Sequence, residues 1–156
     1  MNAIIRTAVF SLLWASSAAF GAGGGDWSPS GPPADPAIEG AQQAIAAKDW
    51  TRAAAIMREA LVKQPGNADY HNLYAYALRR GPNPDMKRVF DEYEEALRID
   101  PKHRNAHEYI GEAYLQVGDL AKAKEHLAAL DKLCFFPCRQ YTTLKEAVQA
   151  YEKSHR

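Results

Sequence analysis

From Asp35 onward the apolar and small residues recur every three or four positions, the spacing of a helix with one buried face. PAIEGAQQAIAA sets Ile38 and Ile45 on one side, and the closing YTTLKEAVQAY sets Tyr141, Leu144, Val148 and Tyr151 on another, with Lys145, Glu146, Gln149 and Glu152 elsewhere. The second stretch predicts one amphipathic helix, 139–153. Asp35 before Pro36 is a helix N-cap followed by proline at the first helical position, and Asn83 before Pro84 repeats that signal further on.

The pattern also repeats as a unit. AKDWTRAAAIMREAL (47–61) aligns with VGDLAKAKEHLAALD (117–131) at an offset of 70, matching Asp49 with Asp119, Ala53 with Ala123 and Met57 with Leu127. REALVKQP (58–65) aligns with EEALRIDP (94–101) at an offset of 36, and the two extra residues fall in the turn GPNPD, 81–85. Three copies follow, 34–67, 68–103 and 104–137. Each holds a small residue in its first helix (Ala41, Ala75, Gly111), a second at the start of its next helix (Ala53 and Ala123, with Val89 between them), and a large apolar residue four further on (Met57, Tyr93, Leu127). Pro65 and Pro101 end copies one and two.

This pattern resembles the tetratricopeptide repeat, a helix-turn-helix unit of about 34 residues, over roughly 34–137. The resemblance implies an all-α solenoid of three repeats, with the amphipathic helix covering its last apolar face. It also implies a concave inner surface, made mainly by first helices, that holds peptide segments. Transferred position by position, that surface takes in Ile38, Gln42 and Ile45, then Asp69, Asn72, Tyr76, Arg79 and Arg80, then Asn105, Glu108, Glu112 and Leu115. The peptide-binding candidates are Asn72, Tyr76, Arg79, Arg80, Asn105, Glu108 and Glu112. Glu108 and Glu112 stand against the subclass that clamps a C-terminal carboxylate. Arg79 and Arg80 beside Tyr76 would grip an acidic or C-terminal group by charge-assisted hydrogen bonds, or form a solvated helix end. HEYIGEAYL with CFFPC and the closing helix is also similar to short exported proteobacterial repeat proteins.

Ahead of the repeats the chain changes character. Residues 1–21 carry Arg6, no acidic residue and an apolar stretch of about 14, too short for a span of roughly 20. They read as a secretory signal cleaved after Ala19 or Gly21. An uncleaved anchor is the alternative. Residues 22–34 are rich in glycine and proline and read as a flexible tether, with Trp27 its one adhesive side chain. The expected address is the periplasm.

With 19 Lys+Arg against 19 Asp+Glu, the 156-residue chain has no basic excess of the kind nucleic-acid binding needs, and cleavage moves it to about −1. Two cysteines, Cys134 and Cys138, sit in LCFFPC, where proline breaks the helix. In an oxidising compartment they are expected to form a disulfide holding the cap to the third repeat. The rival is a copper, zinc or thiol-redox site, with His126 upstream on the preceding helix. His103 lies in a turn, and His107 and its equivalent His71 at a position that packs between helices, so all three read as structural. No phosphate loop, GxSxG or HExxH is present, so no enzyme is expected and no cofactor is required. The expected function is an exported adaptor that binds a protein partner of the periplasm or envelope. Self-association through the alanine-rich first helix is expected, and a membrane span after processing is not.

Overall fold

A computed structural model describes residues 35–136 and 138–155; the expected signal, the tether and Trp27 lie outside them. Among the described residues there are seven helices and no strand. They are α1 (Pro36–Ala46), α2 (Trp50–Lys63), α3 (Ala68–Arg80), α4 (Met86–Ile99), α5 (Arg104–Gln116), α6 (Leu120–Leu133) and α7 (Arg139–Ser154).

The starts and stops have local causes. Asp49, Asp85 and Asp119 cap α2, α4 and α6, each accepting the N–H three residues on, from Arg52, Arg88 and Lys122. The middle start therefore departs from the sequence reading: the Asn83–Pro84 pair is not the cap. Asn83 instead adopts φ 52° inside the lengthened turn, and Asp85 takes over the capping role. Asp35 does cap α1, accepting from Ala37 and Ile38. Pro65 and Pro101 stand just beyond α2 and α4, where a helix cannot continue. Lys48 and Gly118 occupy the same place in the first and third hairpin turns, both left-handed, at φ 59° and 85°.

The helices pair as hairpins α1/α2, α3/α4 and α5/α6. First helices pack side by side, α1 on α3 and α3 on α5, while each second helix packs against its own partner and the next first helix. The small positions Ala41 and Ala75, the positions Ala53, Val89 and Ala123, and the large Met57 and Tyr93 are all fully buried. α7 packs on α5 and α6, burying Leu144 and Val148 against Ala123 and Leu130. Burial of a leucine of this kind is worth roughly 1.5–3 kcal/mol. The approach is close enough that a Cβ on Gly111 would lie 2.6 Å from Leu144 Cδ2, so any larger residue there must push the Leu144 side chain aside.

A polar ladder joins the starts of successive first helices. Asp35 accepts from the Tyr70 hydroxyl at 2.7 Å, Asp69 from His103 Nε2 at 3.0 Å, and Asn105 from Gln140 Nε2 at 2.7 Å. Residues 35, 69 and 105 are equivalent positions, so α7 stands in this ladder where the first helix of a fourth repeat would stand. Among the described residues, no helix is long and apolar enough to cross a membrane.

Candidate functional site: the inner wall of the first helices

The three- and four-residue spacing places Asn72, Tyr76 and Arg79 on one face of α3, and Asn105, Glu108 and Glu112 on one face of α5. Asn72, Tyr76 and Asn105 border a shared cavity of about 240 Å³ with Gln42, Ile45, Leu73 and Tyr109. Tyr76 and Tyr109 form its aromatic floor, centroids 4.7 Å apart, and Trp50 from α2 meets Tyr76 edge-on at 6.1 Å. Leu73 and Tyr109 were absent from the sequence-derived set. They occupy equivalent positions one repeat apart, and the offset that exposed the other positions marks them too.

The charges on this wall are largely committed to one another. Arg79 is only 7% exposed and donates to Glu112 at 2.7 Å. Burial works against its charge, but Tyr93 and Glu112 outweigh that and hold the guanidinium above its ordinary pKa. Glu108 is 2% exposed and receives Arg139 Nη1 from α7 at 3.3 Å. Burial raises its carboxyl above the usual range, and Arg139 only partly offsets this. Arg80, the next residue along from Arg79, falls about 100° further round the helix. It is exposed and stacks over Trp50 at 5.3 Å. It therefore does not join Arg79 as a second cation on the wall.

What remains unpartnered is acceptor in character. Asn72, 2% exposed, keeps its amide oxygen without a partner, and so does Glu108 with its Oε2. These residues are equivalent in repeats two and three. The other two such atoms, Arg79 Nε and the Tyr93 hydroxyl, belong to a mutually interacting pair, the phenol pushed up chiefly by burial. A buried polar atom without a bond costs roughly 1–3 kcal/mol. The wall thus holds two buried oxygens without a hydrogen-bond partner.

Cys134 and Cys138 are joined in a disulfide, with their Cα atoms 5.7 Å apart. In this state neither sulfur is a free thiolate for metal or redox chemistry. The closed loop lifts Phe135 and Phe136 into solvent, 94% and 76% exposed, with rings edge-to-face at 5.1 Å. His126 turns instead to His107, Nδ1 to Nδ1 at 3.0 Å. His103 caps α5, accepting the Ala106 N–H on Nδ1 and donating to Asp69 from Nε2. His71 sets Nε2 2.8 Å from the Pro65 carbonyl and Nδ1 2.7 Å from the Glu92 carboxylate.

Three stacked helical hairpins with small residues at matched crossings, closed by an added helix, define a tetratricopeptide-repeat solenoid. Two solved structures share the fold. The TPR2B domain of yeast Sti1, in a pHsp70 complex, superposes with a TM-score of 0.67 at 18% identity, covering 77% of this chain and 95% of that one. The type III secretion translocator chaperone SycD of Yersinia enterocolitica superposes at 0.66 with 15% identity, covering 76% and 83%. In sequence, the chain is 32% identical over 81 residues to the inactive TPR repeat-containing thioredoxin TTL3 of Arabidopsis thaliana. That match spans 50% of this chain but only 11% of the relative's length. No family model matches the chain.

Proposed function

We propose that this protein is an exported interaction module that binds an extended segment of a periplasmic or envelope protein along its inner wall. The observation that carries the reading is the cavity of about 240 Å³ floored by Tyr76 and Tyr109, with the unpartnered amide oxygen of the buried Asn72 at its edge. A peptide laid there exchanges water for aromatic contact and gives its N–H groups to an oxygen that has none. Likeness in fold to a domain solved with a pHsp70 ligand and to a secretion chaperone supports binding of protein segments. Export rests on the signal pattern of residues 1–21 and on a cysteine pair suited to an oxidising compartment.

The same reading carries a preference. Because Arg79 is neutralised by Glu112 and the free atoms are oxygens, the segment bound carries lysine, arginine or backbone donors flanked by apolar residues. Among the described residues of this wall Arg79 is paired with Glu112 and Arg139 with Glu108, so an acidic or C-terminal group meets no unpaired cation there. The test is a photo-crosslinkable residue in place of Tyr76, expressed in the protein's own host. The expected result is an adduct with an exported protein that is lost when Asn72→Leu is added and survives when Arg80→Ala is added. Adducts indifferent to Asn72→Leu would sink the inner-wall reading. A peptide array completes it: enrichment of Lys and Arg is expected, and enrichment of Asp and Glu overturns the stated preference.

A further inference from the structure

A second opening in the surface shares no lining residue with the inner-wall cavity. It lies between α2, the end of α3 and the lengthened turn 81–85, and holds about 370 Å³. Its lining is mainly apolar: Trp50 and Ala54 from α2, Tyr74 and Leu78 from α3, and Pro82 and Pro84 from the turn. One repeat further on the same place is filled. Residues 90 and 114 are the equivalents of 54 and 78, and there Phe90 stacks on Tyr114 across the junction of α4 with α5, centroids 4.5 Å apart. At the junction of α2 with α3 those two positions hold Ala54 and Leu78, and the cavity borders both.

The charge around this cavity is lopsided. Arg58, exposed on its lining, has no hydrogen-bond, ion-pair or ring partner among the described residues. Two further guanidiniums lie over its aromatic residues, Arg80 on Trp50 at 5.3 Å and Arg88 on Tyr74 at 5.4 Å. The one acid of the lining, Asp85, is engaged as the cap of α4, accepting the Arg88 N–H. We infer that this cavity is a binding site for a small aromatic carboxylate, its ring entering beside Ala54 and its carboxylate pairing with Arg58. The ring regains the aromatic contact that Phe90 and Tyr114 make for themselves at the next junction. A guanidinium takes a carboxylate through two parallel N–H bonds, and those donors of Arg58 are uncommitted. The volume stands near the lower end of the ~300–1,000 Å³ usual for small-molecule sites, which suits one ring with a short arm and leaves no room for a run of peptide.

The experiment is a titration of the full chain labelled with 15N, using 3-phenylpropionate as ligand and 3-phenylpropanol as its uncharged counterpart. The Trp50 indole N–H and the backbone amides of Ala54, Gly81 and Asp85 are expected to shift together and saturate at one ligand per chain, while Asn72 and Tyr109 on the inner wall stay put. The alcohol on the unaltered chain, and the acid on Arg58→Gln, are each expected to bind about tenfold more weakly, the range for losing a charge-assisted hydrogen bond. Ala54→Phe, which copies Phe90 into the cavity, is expected to abolish the step with helicity retained by circular dichroism. Shifts that never saturate, an alcohol or an Arg58→Gln chain that binds as tightly as the parent pair, or a step that survives in folded Ala54→Phe overturns the site. Should Ala54→Phe fail to fold, the alcohol and the exposed Arg58→Gln decide.

Discussion

Repeats two and three place the same backbone around different chemistry. At the hairpin crossing, repeat two pairs His71 with Glu92, an ion pair when the imidazole is charged; at the equivalent crossing, repeat three pairs His107 with His126, two neutral rings. Repeat one has Ala37 and Ile56 there, packed in its apolar core. On the inner wall, repeat two has Arg79 where repeat three has Leu115. At the close helix crossing, repeat two has Ala75 where repeat three has Gly111. The helical period fixes where two side chains meet, and only their identity fixes what passes between them. Exchanging residues between copies therefore separates place from chemistry.

The largest effect belongs to Arg79. Arg79→Leu copies Leu115 into repeat two but strips Glu112 of its partner. It is expected to cost about 3 kcal/mol in urea unfolding, in the range for breaking a buried pair. Adding Glu112→Leu should recover most of that loss. A double variant no more stable than the single would show that Arg79 acts through packing and not through charge.

Next comes the histidine pair. Both imidazoles have folded-state pKa values below the ordinary 6.5, so the unfolded chain binds protons that the folded chain refuses. The stability the pair confers is fully present above about pH 6.5 and is lost as pH falls from there toward 4. Burial is the main cause, with each ring near the other; Asp100 and Glu125 oppose the shifts, while His103 and Lys122 add to them. After discount for partial exposure, the loss is on the order of 2 kcal/mol. His126→Glu, which copies the repeat-two pair, is expected to flatten that loss in melts taken across pH 4–7. A variant as acid-sensitive as the parent would place the effect elsewhere.

Gly111→Ala makes the third crossing like the second. Overpacking against Leu144 costs ~1–3 kcal/mol. The gain in helix propensity offsets ~1 kcal/mol of it, so a net loss of about 1 kcal/mol is expected in chemical denaturation. Leu144→Ala alongside it should cancel the clash, and a stabilised single variant would show that α7 yields. The smallest effect is Lys48→Gly, which copies Gly118 into the first turn. Relief of a left-handed lysine contributes ~1–2 kcal/mol. Glycine's greater freedom when unfolded removes ~0.4–1 kcal/mol of that, leaving a small rise in melting temperature. A lower melting temperature would show that the lysine side chain holds the turn by contacts of its own.

Much of this was legible in the chain because it depends on period. Ala41, Ala75 and Gly111 recur in register, and the structure buries all three. The middle turn misled because Asn83–Pro84 looks like a start, while the offset of 36 from Asp49 points to Asp85, the residue that caps. The inner wall was legible as positions and not as pairs. That Arg79 commits its charge to Glu112, and that Arg139 reaches Glu108 from α7, depends on how far apart neighbouring helices settle. The equivalence of His71 and His107 predicted a shared packing role, and the shared half is the proline carbonyl. The other half lies on the second helix, where the matching residues of the two repeats, Glu92 and His126, are unlike.

One consequence of α7 concerns symmetry. By seating Gln140 on Asn105 and Leu144 on Gly111, it occupies the surface through which a further first helix would extend the stack. Among the described residues the two ends of the stack are unequal: α7 covers one, and α1 forms the other. A copy-to-copy contact that continued the stack head to tail, the kind that propagates into filaments, would first have to displace α7.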